Sequence, residues 1–233
     1  MIKIFGVSIL EDYDILPKLS EEVYKYLLSE IPKYDLVIVN DFGHGFINRD
    51  IIETFSQARF LAVNTQTNTD NAGFNLITKY PRADYVCLDE PETRLACQDK
   101  YGKIENLILL LSKNVKCNKI AVTHGQYPTI MYDGKFYEIP TLSNGLKDTT
   151  GAGDAFFAIT APCVATGLPM DVVGFIGNAV GALKVKIVCN RSSVEPEALY
   201  KFITELKENE NGLRVGHAQI DASPPESHRL AGW

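Results

Sequence analysis

The chain predicts an α/β fold, with a mostly parallel central sheet and helices on both faces. Three observations lead there. Short β-branched apolar runs alternate with segments of helical period, the mark of strand–helix units around a parallel sheet. At 233 residues, 45% hydrophobic and 22% charged, the composition is that of an ordinary globular domain, which excludes a disordered or collagen-like chain. No apolar run approaches the ~20 residues that a bilayer span requires.

The elements follow in order. Residues 3–7 (KIFGV) read as a strand, and 20–31 as an amphipathic helix capped by Ser20, with Glu21 and Glu22 in its first turn. Residues 35–40 (DLVIVN) are a short buried strand, and 48–58 a helix capped by Asn48. Strands at 60–63 and 84–88 precede a helix at 91–99 that carries Pro91 in its first turn. A helix at 104–113, a strand at 119–123 and a hairpin over 128–140, turning at Asp133-Gly134, come next. Three helices close the pattern, at about 152–166, 171–187 and 195–208, with Pro162 placed to bend the first. From Asn209 the period stops, so residues 1–208 read as one domain and 209–233, with the lone Trp233, as a disordered or appended tail.

Lys plus Arg number 23 against 29 Asp plus Glu, a formal charge of −6, with no basic run. Nucleic acid and membranes are therefore not expected partners. The amino terminus turns acidic too soon for a secretory signal. The five cysteines, Cys87, Cys97, Cys117, Cys163 and Cys189, contain no C-x-x-C pair. They read as free thiols in a reducing cytoplasm rather than a disulfide or zinc framework.

The most informative segment is residues 148–157, DTTGAGDAFF. Gly151, Ala152 and Gly153 stand where a loop becomes a helix. Small residues let an anion approach the backbone, and the first helical N–H groups point outward at it. Asp154 falls in the first turn, where the helix dipole favours a negative charge. An anion hole beside a carboxylate suits phosphoryl transfer to an alcohol: the hole holds the phosphate, and the carboxylate takes the hydroxyl proton. The plainer alternative is a tight turn followed by a helix-start acid. Phe156 occupies the third glycine position of G-x-G-x-x-G, and no G-x-x-x-x-G-K-[ST] occurs, which speaks against a dinucleotide fingerprint and a P-loop. H-E-x-x-H and G-x-S-x-G are also absent.

DTTGAGDAFF resembles the carboxyl-terminal signature of the ribokinase-like (PfkB) carbohydrate kinases, and other segments fit in order. Residues 35–45, DLVIVNDFGHG, resemble the strand and D-Y-G-K-G stretch of the heptose-phosphate kinase branch, with His44 where that branch has lysine. This resemblance places Asp41 and His44 on the substrate side. Asp89-Glu90-Pro91-Glu92 falls at the family's N-x-x-E motif, which organises magnesium and the ATP phosphates; Glu92 matches and Asp89 replaces asparagine. Thr123-His124-Gly125 matches a T-x-G beside the nucleotide, and Asn178 falls where a helix borders the adenine.

The resemblance spans residues 3–208 and implies a ribokinase-like three-layer sandwich, N-terminally truncated. It implies an ATP- and Mg²⁺-dependent kinase acting on a sugar or sugar phosphate, with heptose 7-phosphate indicated by the DFGHG stretch. Gly151, Ala152 and Gly153 would form the anion hole and Asp154 the catalytic base. A monovalent cation such as K⁺ would sit at Asp148 and Thr150, beside the loop at residues 190–193, which lacks the family's usual glycine.

Plainer roles stand beside these. Asp89 and Glu92 precede a helix, where acids are commonly dipole partners. His124 reads as structural or as a pocket wall, and Lys184 and Lys186 as a solvated face. Tyr127 and Phe136 read as core or as an adenine border. Residues 65–71 (TQTNTDN) are an exposed polar loop that its place after a strand would bring near the active face. The paired-glycine motif, early aspartate and lid strands of the family are not found in the chain. A partner chain or a homodimer would then supply the sugar side. The alternative function is a nucleotide-binding or interaction module of weak or no activity.

Overall fold

The computed structural model of the chain describes residues 13–68, 71–142, 150–187 and 191–208. The expected strand at 3–7, Asp148, Cys189, Asn190 and the tail at 209–233 lie outside the described residues.

Helix α1 (Pro17–Glu30) leads into strand β1 (Val37–Asp41), helix α2 (Arg49–Phe55) and strand β2 (Leu61–Thr65). Strand β3 (Tyr85–Asp89), helices α3 (Glu90–Cys97) and α4 (Ile104–Asn114) and strand β4 (Ile120–His124) follow. The hairpin is β5 (Tyr127–Tyr132) with β6 (Phe136–Ile139), and helices α5 (Ala152–Ala165), α6 (Met170–Lys184) and α7 (Pro196–Glu208) end the fold. The strands lie in the order β1-β2-β3-β4-β5-β6, parallel from β1 to β4 and antiparallel across β5 and β6.

Alternation along the strands separates two cores. Val63, Val86, Leu88, Ile120 and Val122 face a layer built from Ile51 and Phe55 of α2 and from Ile108 and Leu111 of α4. Ala62, Tyr85, Cys87, Ala121 and Met131 face the opposite way, against Phe156, Phe157, Ala161 and Val164 of α5 and Val173 of α6. The result is a helix–sheet–helix sandwich. Its second helical layer depends on close approach: a Cβ on Gly177 would fall 2.6 Å from Phe156 Cδ2, and one on Gly174 would fall 2.7 Å from Ile139 Cγ1.

Asn48 caps α2 as its sequence position predicts, accepting from Ile51 N at 3.0 Å. Ser20 does not cap α1. Leu16 precedes the helix and Pro17 opens it, so Ser20 lies inside, buried, where its hydroxyl accepts from Asn48 Nδ2 at 2.7 Å. Proline's preset φ moves the cap four residues earlier than the serine signal, from Ser20 to Leu16. Lys184 also departs from expectation: it is only 7% exposed, whereas Lys186 is exposed. Pro162 sits in the last turns of α5, within a continuous helix. Phe136 is core, and Tyr127 is 55% exposed and packs on the His124 ring. Cys87 and Cys117 are buried free thiols, and Cys97 and Cys163 are half-buried free thiols. Among the described residues no helix is long and apolar enough to cross a membrane.

Candidate active site

The parallel strands deliver their carboxyl ends to one edge of the sheet, and ligands of open α/β sheets bind there. Asp41 and Thr65 are register partners at the ends of β1 and β2, and Asp89 and Thr123 at the ends of β3 and β4. Helix α5 starts at this edge. Its N-cap, Gly151, has φ +75°, a left-handed conformation that disfavours any residue with a Cβ. That turn aims the first N–H groups of α5 outward and sets Asp154 in the first helical turn.

A cavity of about 280 Å³ opens at this point. Ala152 and Gly153 form one side of it, and Asp89, Thr123, Gly125 and Asn178 contribute from three other segments. Among the described residues nothing lies within 4 Å of where a Cβ on Gly153 would point. Phe156, Leu142, Ala182 and Val185 supply apolar wall, suited to the flat face of a base. His124 also lines the cavity and pairs with Glu90.

Asp89 and Glu92 form a capping box at the start of α3. Glu92 N donates to Asp89 Oδ1 at 2.7 Å, and Asp89 N donates to Glu92 Oε2 at 2.9 Å. Glu92 Oε1 accepts a third bond, from Thr67 N at 3.0 Å, and the residue is 8% exposed. The plainer reading of these acids as helix-start partners therefore describes their bonds. Their electrostatics add a second property. Burial, and then the neighbouring Asp89 charge, push the Glu92 carboxyl up to about 7, and burial raises Asp89. Carboxylate oxygens are the hard donors that Mg²⁺ prefers, and of the two residues Asp89 lines the cavity. Among the described residues no group of three His, Cys, Asp or Glu side chains is placed to hold a metal by itself.

Asn178 walls the cavity but spends its amide on the scaffold. It accepts from Thr129 Oγ1 at 2.8 Å and donates to the carbonyls of Ile139 at 3.1 Å and Pro140 at 2.9 Å. Thr123 Oγ1 lies 3.4 Å from Leu88 O.

On the other side of Asp154 stands a second set of polar groups. Gln66 Nε2 donates to Asp154 Oδ1 at 2.5 Å. His44 Nε2 lies 3.4 Å from Asn68 Nδ2, while His44 Nδ1 and Thr67 Oγ1 are buried without partners among the described residues. Asp41 is 2% exposed and fully engaged, accepting from Gly43 N at 2.9 Å and Tyr80 Oη at 2.6 Å and pairing with Lys79 Nζ at 2.6 Å. Burial, and then the Asp41 charge, drive the Tyr80 hydroxyl well above its ordinary range, so it remains a donor. Asp41 thus braces the loop that carries His44 and does not line the cavity. Sequence reading passed over Gln66, Asn71 and Asn75 as individuals. Asn71 and Asn75 are buried and bond the Gln66 carbonyl. The polar run at 65–71 after a strand was a signal for Gln66 and Asn71, and Asn75 lies beyond it.

Residues 17–195 match the family described as pfkB family carbohydrate kinase. Curated relatives carry the name Bifunctional protein HldE. That of Wolinella succinogenes is 23% identical over 199 residues, 84% of this chain and 41% of its own length. That of Syntrophotalea carbinolica is 24% identical over 215 residues, 88% of this chain and 42% of its own. The chain thus spans about two-fifths of the length of these relatives. Among solved structures, the ribokinase of Thermotoga maritima superposes with TM-score 0.63 at 16% identity, over 76% of this chain and 59% of its own. Phosphofructokinase-2 from Escherichia coli, in complex with potassium, gives TM-score 0.69 at 11% identity, over 83% of this chain and 64% of its own. These likenesses show the ribokinase-like fold.

Proposed function

This chain belongs to the pfkB family of carbohydrate kinases, and on that premise we propose that it transfers the γ-phosphate of ATP to a hydroxyl of a sugar or sugar phosphate. One observation carries the reading: the cavity beside the Gly151–Gly153 turn is walled by Asp89, Thr123, Gly125 and Asn178, which come from separate parts of the chain. In this reading the base lies against the apolar wall, and the phosphates reach the outward N–H groups of Ala152 and Gly153. Asp154 takes the acceptor's proton. The acceptor oxygen bonds to the γ-phosphorus, the bond from that phosphorus to the β–γ bridging oxygen breaks, and ADP leaves. Asp89 and Glu92 would hold Mg²⁺ at the phosphates, which neutralises charge there when bound.

The sugar side falls to His44, Gln66 and Asn68, with Asp41 as their brace. A sugar phosphate is favoured over a free sugar because His44 stands where the heptose-phosphate kinase branch has lysine, and the resemblance of the DFGHG stretch to that branch favours heptose 7-phosphate within the class. A cytoplasmic location belongs to the same reading. So does a second copy or partner chain at the β1 edge, where Ile38 and Phe42 are exposed.

The test is sugar-dependent ADP release by the chain and by Asp154→Asn, with ATP binding followed by calorimetry. We expect Asp154→Asn to lose about 10²–10⁴-fold in rate with ATP affinity kept. Equal rates would remove Asp154 as base. Binding without turnover across a sugar and sugar-phosphate panel would favour a nucleotide-binding module instead.

A further inference from the structure

Lys184 lies in the last turn of α6, 7% exposed, and its Nζ is buried with no hydrogen-bond partner among the described residues. A desolvated ammonium without a counter-charge is costly, and such groups persist where a ligand supplies the charge. The carbonyls at the end of α6 favour a cation nearby, yet Nζ bonds none of them.

The location of Lys184 identifies the missing charge. Helices α5 and α6 are joined by the four residues 166–169 and run antiparallel as a helical hairpin. Gly177 meets Phe156. Lys184 is seven residues further along the same face of α6, about 10 Å, which brings it level with the turn that opens α5. Its neighbours Gly181, Ala182 and Val185 line the same cavity as Ala152 and Gly153. Lys184 thus belongs to the end of α6 that borders the cavity, without itself lining it.

We infer that Lys184 is a built-in cation for the first turn of α5, neutralised when the phosphate chain of a nucleotide enters the cavity. This rests on the kinase reading above and adds a residue to it. Lys184 does not line the cavity, so it is a positioning residue: its field, strong in a dry interior, acts on the phosphates through the turn. Nucleotide binding by this chain is therefore expected not to depend on a free monovalent ion.

Calorimetric titration of MgATP into the full chain, in choline chloride and in potassium chloride, tests this with Lys184→Met and Lys184→Arg beside the native protein. Native affinity should be the same in both salts. Lys184→Met should lose at least tenfold in choline and regain part of it in potassium, while Lys184→Arg stays within about threefold of native. Without nucleotide, Lys184→Met should melt no lower than native, because methionine fills the site without a charge. Two outcomes overturn the inference and are distinguishable. If native binds MgATP and Lys184→Met binds it equally in both salts, Lys184 has no such role. If native binds no MgATP, the kinase reading itself falls, and the counter-anion with it.

Discussion

Gln66 Nε2 donates to Asp154 Oδ1 at 2.5 Å, joining the residue that follows β2 to the first turn of α5 across 88 positions of sequence. The bond occupies Oδ1, and in the proposed reaction it would leave Oδ2 to face the acceptor without touching the Gly151–Gly153 turn. Gln66→Ala should therefore lower kcat about tenfold, since misplacing a catalytic group is costly, and leave KM for ATP unchanged. Gln66→Glu should be worse, because it sets a like charge against Asp154. Steady-state kinetics that showed a raised KM for ATP instead would move Gln66 to the nucleotide side.

Gly153 separates folding from binding. A Cβ there meets nothing within 4 Å among the described residues, and the residue lines the cavity. Gly153→Val should keep its melting temperature within a few degrees of native and lose most nucleotide binding, because its methyl groups would occupy the phosphate's approach. Parallel thermal melts and calorimetry check both halves.

Glu92 gives stability a pH dependence of defined sign. In the folded chain burial holds its proton up to about pH 7, against an ordinary value of 4.5. The folded state thus binds more protons than the unfolded state between these values, and stability falls as pH rises through that window. The contribution is fully present below pH 4.5 and gone above about 7. Glu92→Gln, which cannot ionise, should lose this slope. Urea midpoints for both proteins at pH 5 and pH 8 should show native falling relative to the variant at the higher pH.

Asn178 holds α6 to the hairpin with three hydrogen bonds. Asn178→Ala would strand the Thr129 hydroxyl and two carbonyls beside a cavity wall. The expected loss is about 2–3 kcal/mol, the cost of leaving buried polar groups unsatisfied. Denaturant unfolding measures it. Asn178→Asp should be more harmful, because carboxylate oxygens repel the Ile139 and Pro140 carbonyls that the amide now serves.

The order of elements was readable in the chain. The strand-and-helix alternation, the Asn48 cap, the Asp133-Gly134 turn and the three last helices all reappear within a few residues. Each reports a local preference: a period, a cap, or a turn that needs only its neighbours. The glycine turn with Asp154 was readable for the same reason, because four adjacent residues carry its geometry. Tertiary structure decided what those groups bond. Asp41 faces Tyr80 and Lys79, Gln66 faces Asp154, Asn178 faces Ile139 and Pro140, and Ser20 faces Asn48. Lys184 looked solvent-facing from its own helix, and it is buried in a helix that packs against α5, α7 and the β5–β6 hairpin. Periodicity records how one element meets solvent, whereas a side chain's partner and charge environment are set by elements tens of residues away.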